Sequence, residues 1–191
     1  MAKRVFFSFH YQDVIDFRVN VVRNHWLLKP DRESAGYFDA SIWEKAKKEG
    51  SMALKRLING AIKNTSNTCV LIGSDTFNRQ WVSYEIMKSM ESGNNIFAVH
   101  INTIKGKDGN TKTKGPNPFH YLGYSFSDDG KKLNLHDYVG GKWIKYPDLE
   151  GWTVKEVDKN IRNKIFRLTD NYSTYDWIAD DGYNKFSSWV K

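Results

Sequence analysis

Apolar and polar positions in the first hundred residues alternate between the rhythm of buried strands and the rhythm of helices. Val5 to Phe9 is a short apolar and aromatic run that ends in the polar stretch His10 to Asp13, as a buried strand does where it enters a loop. From Asp13 as N-cap, Val14, Phe17, Val21 and Leu28 interleave with Ile15, Val19, Val22 and Trp26 at spacings of three and four. That spacing predicts one continuous helix stopped by Pro30. Gly36 to Ser41 is a second, weaker strand candidate, and Glu44 to Gly50 reads as a loop or a poorly formed helical turn. Ser51 caps a helix whose Leu54, Leu57, Ile58, Ala61 and Ile62 hold the helical period straight through Asn59-Gly60. Thr68 to Ile72 and Ile96 to Ile101 are further strands, and between them Gly73-Ser74 turns the chain toward a helix from about Asn78.

Strands alternating with helices in this way predict an α/β fold, an open parallel sheet with helices on both faces. Such sheets bind ligands beyond the carboxyl ends of their strands. That rim falls at Ser8 to Tyr11, Asp39 to Trp43, Gly73 to Phe77 and Asn102. After Asn102 the periodicity stops. Lys105 to Pro118 is a polar, basic, Gly- and Pro-rich stretch, expected to be a mobile surface segment. Leu133 to Val139 reads as an edge strand. Thr153 and Glu156 have the spacing of a capping box for a helix carrying Val154, Val157, Ile161, Ile165 and Leu168. The aromatic tail from Tyr172 to Trp189 is expected to pack this extra segment onto the sheet, with stacking on a ligand or nucleic acid as the alternative.

One residue breaks the pattern. At about 100° per residue, the helix from Asn78 turns an apolar face of Trp81, Val82, Ile86 and Met90, and Glu85 points into it. A carboxylate there loses hydration and needs a partner or a cleft. Pattern alone leaves both open, an ion pair at the edge of the core or a functional group.

Composition narrows the classes. With 191 residues, 40% of them hydrophobic and 27% charged, the chain is large enough for a proper core and reads as one domain over residues 1–191. Cys69 is the single cysteine, so an internal disulfide and a thiolate metal cluster are excluded, and its apolar surroundings predict a buried, inert thiol. No run of 18 apolar residues and no secretory signal pattern occurs, so a cytosolic protein without membrane association is expected. The five histidines, at 10, 25, 100, 120 and 136, lack ligand spacing, and no metal site is expected. Gly140-Gly141-Lys142 lacks the rest of a Walker loop. A net charge of +7 suits an anionic ligand such as a dinucleotide, a nucleic acid, or solubility alone.

Two stretches carry a resemblance. VFFSFHYQD, Val5 to Asp13, is similar to the first strand and loop of TIR domains. SDTFNRQWVSYEI resembles the signature in which a strand-ending Ser (Ser74) is followed by an aromatic (Phe77), then Trp (Trp81), with Glu (Glu85) four residues later. The likeness covers about residues 3–102, leaving 103–191 as the basic loop and a C-terminal elaboration. The SFHYQD opening, the WVSYEIMKS helix, the KGPNPF loop and the WIADDGYNKFSSWV tail place the chain closest to the stand-alone TIR-like proteins of the bacterial Thoeris anti-phage system.

The resemblance implies a flavodoxin-like fold and cleavage of NAD at the nicotinamide–ribose bond, with NAD as substrate and no cofactor. It further implies a cyclic or modified ADP-ribose signal, made after an unidentified phage trigger, that activates a separate NAD-consuming effector of the ThsA type. Homo-oligomerisation is left open. On this resemblance Glu85 is the catalytic candidate, and Phe6, Ser8, His10, Asp39, Ser74 and Trp81 are candidates for holding the substrate. Val82 stands where Cys often follows the Trp in TIR domains, and the segment from Pro30 to Gly50, where a pocket-covering loop lies, has no clear pattern. Two other classes remain, a non-enzymatic TIR interaction module and, last, a nucleic-acid binder using the basic loop and aromatic tail.

Overall fold

A computed structural model describes residues 3–38 and 40–191. Five parallel strands form the central sheet: β1 (Lys3–Phe9), β2 (Arg32–Ala35), β3 (Asn67–Ile72), β4 (Asn95–His100) and β10 (Thr174–Asp176). Their order is β2-β1-β3-β4-β10. The register pairs Phe6 with Ala35, Val5 with Asn67, Thr68 with Ile96 and Tyr175 with Val99. Numbered by position in this sheet the order is 2-1-3-4-5, that of flavodoxin-like folds, whose switch point lies between the first and third strands.

The sheet is covered on both faces, which explains why β3 is buried along its whole length. Alternation along the strands divides the core. Val5, Phe7, Cys69, Leu71, Phe97 and Val99 meet α2 (Arg18–Leu27) and α6 (Gly182–Trp189) through Val19, Val22, Trp26, Phe186 and Trp189. On the other face, Val70, Ile72, Ile96 and Ala98 meet Val82, Ile86 and Met87 of α5 (Gln80–Glu91). Beside them Phe6 packs with Ile58 and Ile62 of α4 (Ser51–Ile62) and with Tyr84 of α5. Cys69 is fully buried and free, and burial raises its thiol pKa.

The continuous helix expected from Asp13 is instead two. α1 (Gln12–Ile15) ends before Phe17, whose φ of 64° is left-handed, and α2 starts after it. Tertiary contacts impose the break. The Asp16 carbonyl accepts a hydrogen bond from the Lys107 amide, and its carboxylate pairs with Arg18 and Lys112. Asp13 lies inside α1 rather than capping it.

The second strand is Arg32–Ala35, upstream of the expected Gly36 to Ser41. Its residues carry no strand pattern of their own, and pairing with β1 makes them a strand. Of the two readings of Glu44 to Gly50, loop or helical turn, the structure has helix as far as Glu49. That helix is α3 (Ala40–Glu49), which Gly50 joins to α4, so Ser51 is the first helical residue rather than the cap.

The C-terminal half adds a second, antiparallel sheet in the order β7-β6-β5-β9, from β5 (Leu122–Phe126), β6 (Lys132–Val139), β7 (Lys142–Lys145) and β9 (Phe166–Arg167), with β8 (Trp152–Thr153) also on β6. The Leu133 to Val139 strand forms as β6, but it is an inner strand rather than an edge, because β5 pairs with it on one side and β7 and β8 on the other, and Gly140-Gly141 is its hairpin turn into β7. The helix expected after Thr153 does not form. The backbone donors there go to the β5–β6 turn instead, from Val154 to the Lys131 carbonyl and from Val157 to the Gly130 carbonyl. Leu122, Leu133, Leu135 and Leu168 of this half join the core cluster under α5.

The stretch from Lys105 to Pro118, expected to be mobile, is pinned. Buried Arg18 donates to the carbonyls of Ile104 (3.0 Å) and Asn110 (2.7 Å). Gly115 lies so close to the carboxyl end of β3 that a Cβ there would stand 2.1 Å from the Gly73 carbonyl oxygen. The aromatic tail closes the fold as expected, with Trp177 and Phe186 in the core and Tyr175 stacked on Trp189 at 4.1 Å. No described helix is long and apolar enough to cross a membrane.

Candidate functional site

Strand alternation explains the centre of the site. Phe6 and Ser8, two residues apart on β1, face α4 and α5. On α5, Trp81 and Glu85 are one helical turn apart and share a face. The Ser8 hydroxyl donates to Glu85 Oε2 at 2.6 Å, both side chains being buried. Glu85 sits between the apolar cluster of Val82, Ile86 and Met87 and that of Phe6 and Tyr84. It has no cationic partner among the described residues, so the ion-pair alternative drops away. Burial pushes the Glu85 pKa up from 4.5 to about 8, against the opposing pull of the Ser8 hydrogen bond.

Above this carboxyl lies a cavity of about 340 Å³ at the carboxyl end of β1. Five aromatic residues wall it: Phe9, Tyr11, Phe38, Trp43 and Trp81. Phe38 and Trp43 are stacked with ring centroids 5.7 Å apart. Gly36 lets the chain cross here. With φ of 83°, a Cβ on it would be 2.3 Å from the Phe7 carbonyl oxygen and 3.0 Å from the Phe6 ring. Exposed Lys47 and Arg79 line the mouth together with Glu44 and His10. The pKa of His10 is lowered by burial first and by Arg79 second, so its imidazole is neutral at pH 7.

The candidates from the sequence separate into groups. Glu85, Trp81 and His10 line the cavity, and Ser8 lies behind Glu85 as its hydrogen-bond donor. Phe6 is fully buried beneath Gly36, in the core rather than on the cavity wall. The Ser74 hydroxyl donates to the Thr113 carbonyl at 2.9 Å and anchors the basic loop instead of the cavity. Asp39 lies outside the described residues.

Trp43 falls on the rim expected from the sequence, at the end of the Asp39 to Trp43 stretch, whereas Glu44 and Lys47 carry no expectation, because Glu44 to Gly50 has no clear helical pattern of its own. Ile42, Trp43 and Ala46 at helical spacing were the available signal. Arg79, just before α5, and Phe38, just after Gly36, carried no signal of their own.

A carboxyl group under an aromatic cavity with cations at its mouth suits a ligand that has flat rings, a sugar and phosphates. Residues 6–105 match the family described as "Thoeris protein ThsB, TIR-like domain". A protein of Bacillus cereus (strain MSX-D12), described as "Putative cyclic ADP-D-ribose synthase ThsB1", is 64% identical over 191 residues, which is 100% of each chain.

Proposed function

We propose, from the premise that the chain belongs to the Thoeris ThsB family of TIR-like proteins, a cycle in which Glu85 drives cleavage of NAD at the nicotinamide–ribose bond. The protein is a Thoeris TIR signalling enzyme that produces a molecule of the cyclic ADP-ribose type. The observation that carries the residue assignment is the buried Glu85 carboxyl, held by Ser8 on the floor of the aromatic cavity.

The chemistry follows from that placement. Nicotinamide leaves as a neutral pyridine, so the departing group needs no acid. Positive charge then develops on the ribose, and one carboxylate beside it stabilises that charge. Glu85 must be ionised for this, and the Ser8 hydrogen bond favours the ionised form. The cationic pyridinium of bound NAD favours it further, so binding substrate releases a proton at neutral pH. Trp43 and Trp81 supply flat surfaces for the rings, and Lys47 and Arg79 supply charge for the pyrophosphate. An aromatic enclosure also limits water, so that a folded-back group of the same molecule, rather than water, captures the ribosyl cation and closes a ring. The released product is a diffusible signal for a separate effector of the ThsA type, formed in response to infection.

The direct test is mass spectrometry of nucleotides from phage-challenged cells that express this chain without an effector, comparing the native protein with Glu85→Gln. A new ADP-ribose-derived species that requires both infection and Glu85 is expected. Identical nucleotide pools in the two variants, with protection by the native chain intact when an effector is present, would sink the assignment in favour of a binding module.

A further inference from the structure

At the carboxyl end of β4, on the far side of β3 from the Glu85 cavity, lies a second cleft of about 600 Å³ whose lining shares no residue with the first. Three separate parts of the chain build it. His100 ends β4, Lys114 to Asn117 come from the pinned loop with His120 just beyond it, and Thr169, Tyr172, Ser173 and Thr174 come from the C-terminal extension. Its polar groups are cationic or neutral. His100, Lys114 and His120 line it, and no carboxylate is among its lining residues. Lys114 is exposed and has no acidic partner among the described residues.

Most telling is His100. Its side chain is 6% exposed, and its Nδ1 is buried without a hydrogen-bond partner among the described residues. Buried polar atoms of that kind are rare and costly unless something else satisfies them. Thr169 and Ser173 also line the cleft, and their side chains are neutral donors. Asn117 is already fixed, its Nδ2 donating to Thr174 Oγ1 at 2.8 Å and its Oδ1 accepting from the Phe119 amide at 2.9 Å, so the loop presents Lys114 from a held frame.

We propose that this cleft is a second binding site, distinct from the Glu85 cavity, for a phosphate group carried by a small ligand. A tetrahedral oxyanion matches a lining that holds a lysine, two imidazoles and hydroxyl side chains drawn from three parts of the chain, and it gives the orphaned His100 ring a bound neighbour. The charged groups bearing on His100 are Lys114 and Asp176. Burial and Lys114 hold its pKa down, to about 4, while Asp176 opposes them. Asp176 is engaged elsewhere, its Oδ1 accepting from Thr103 Oγ1 and from the amides of Ile178 and Ala179. A phosphate in the cleft raises the affinity of His100 for protons.

The test is NMR of the histidine side chains in the full chain carrying Glu85→Gln, titrated at constant ionic strength with inorganic phosphate and separately with AMP. His10, on the other cavity, serves as the internal reference. Saturable shifts of the His100 and His120 signals are expected, with an upward move of the His100 titration midpoint. Lys114→Ala, an exposed substitution that spares the fold, is expected to weaken binding roughly tenfold, the loss of one charge-assisted hydrogen bond. Tighter binding of AMP than of phosphate assigns the site to a nucleotide, and equal binding assigns it to free phosphate. Linear, non-saturating shifts, an affinity unchanged in Lys114→Ala, or a response confined to His10 would overturn the proposal.

Discussion

Glu85 is held in conflict between its place and its task. The fold keeps it protonated near neutral pH, while the proposed reaction needs it ionised, and that conflict can be read in two ways. Activity on NAD below saturation rises with pH toward about 8, because the free enzyme must lose a proton before Glu85 can stabilise a cation. At saturating NAD the midpoint lies lower, since the pyridinium charge helps ionisation. A pH series of kcat/KM and of kcat separates the two. Ser8→Ala removes the hydrogen bond that favours the carboxylate, so it moves the kcat/KM midpoint upward and cuts turnover at pH 7 about tenfold, without emptying the cavity.

Stability has the opposite sign. A carboxyl whose folded pKa lies above its unfolded value contributes stability that is complete below about pH 4.5 and is lost as pH rises through about 8. Glu85→Gln therefore melts higher than the native protein at pH 8 to 9, by on the order of a few kcal/mol, and matches it near pH 5. The same substitution abolishes turnover. An equal thermal stability of the two proteins at high pH would contradict the burial argument.

At the scale of elements, what the sequence made legible depended on whether an element carries its own signal. β1, β3, β4, α4 and α5 show apolar periods because the core buries them, and each was readable. Glu85 was readable for the same reason, as the one misfit on a regular face. β2 was not, since Arg32–Ala35 is polar and becomes a strand only beside β1. β10 is three residues long and pairs with β4 from across the whole extension. The break at Phe17 depends on Arg18 and on Lys107 and Lys112, about ninety residues further on. Long-range partners do not print a local period.

That dependence gives a test at the same scale. Arg18→Leu leaves the carbonyls of Ile104 and Asn110 without their donor and Asp16 without one of its cations. It is expected to cost about 3 kcal/mol of unfolding free energy and to raise hydrogen exchange across residues 104–112. Fast exchange there already in the native protein would argue against the pinned loop. At the Glu85 cavity, Trp43→Ala on α3 opens the aromatic wall, so the product ratio moves from cyclic toward linear ADP-ribose, as chromatography of the reaction would show.

For the molecule as a whole, the C-terminal extension is part of the core rather than an appendage. Phe186 stacks against Phe7, and Trp26, Phe97, Trp177 and Trp189 are its other aromatic neighbours. Phe186→Ala is expected to destabilise by about 3–5 kcal/mol, measurable by urea unfolding, although the residue is remote from the Glu85 cavity. The final residues are laced back to the start of the sheet. Asn67 donates to the Lys191 carbonyl at 2.8 Å and accepts from the Lys191 amide, while Asn95 donates to the Trp189 carbonyl.

This lacing has a consequence during synthesis. A ribosome that has translated as far as residue 170 has already made all the described residues around the Glu85 cavity, yet the fifth strand and the helix carrying Phe186 do not exist. The nascent chain then holds half a hydrophobic layer open to water and cannot settle into its final sheet. The order of synthesis thus places the cavity's residues ahead of the strand and helix that complete the layer beneath them.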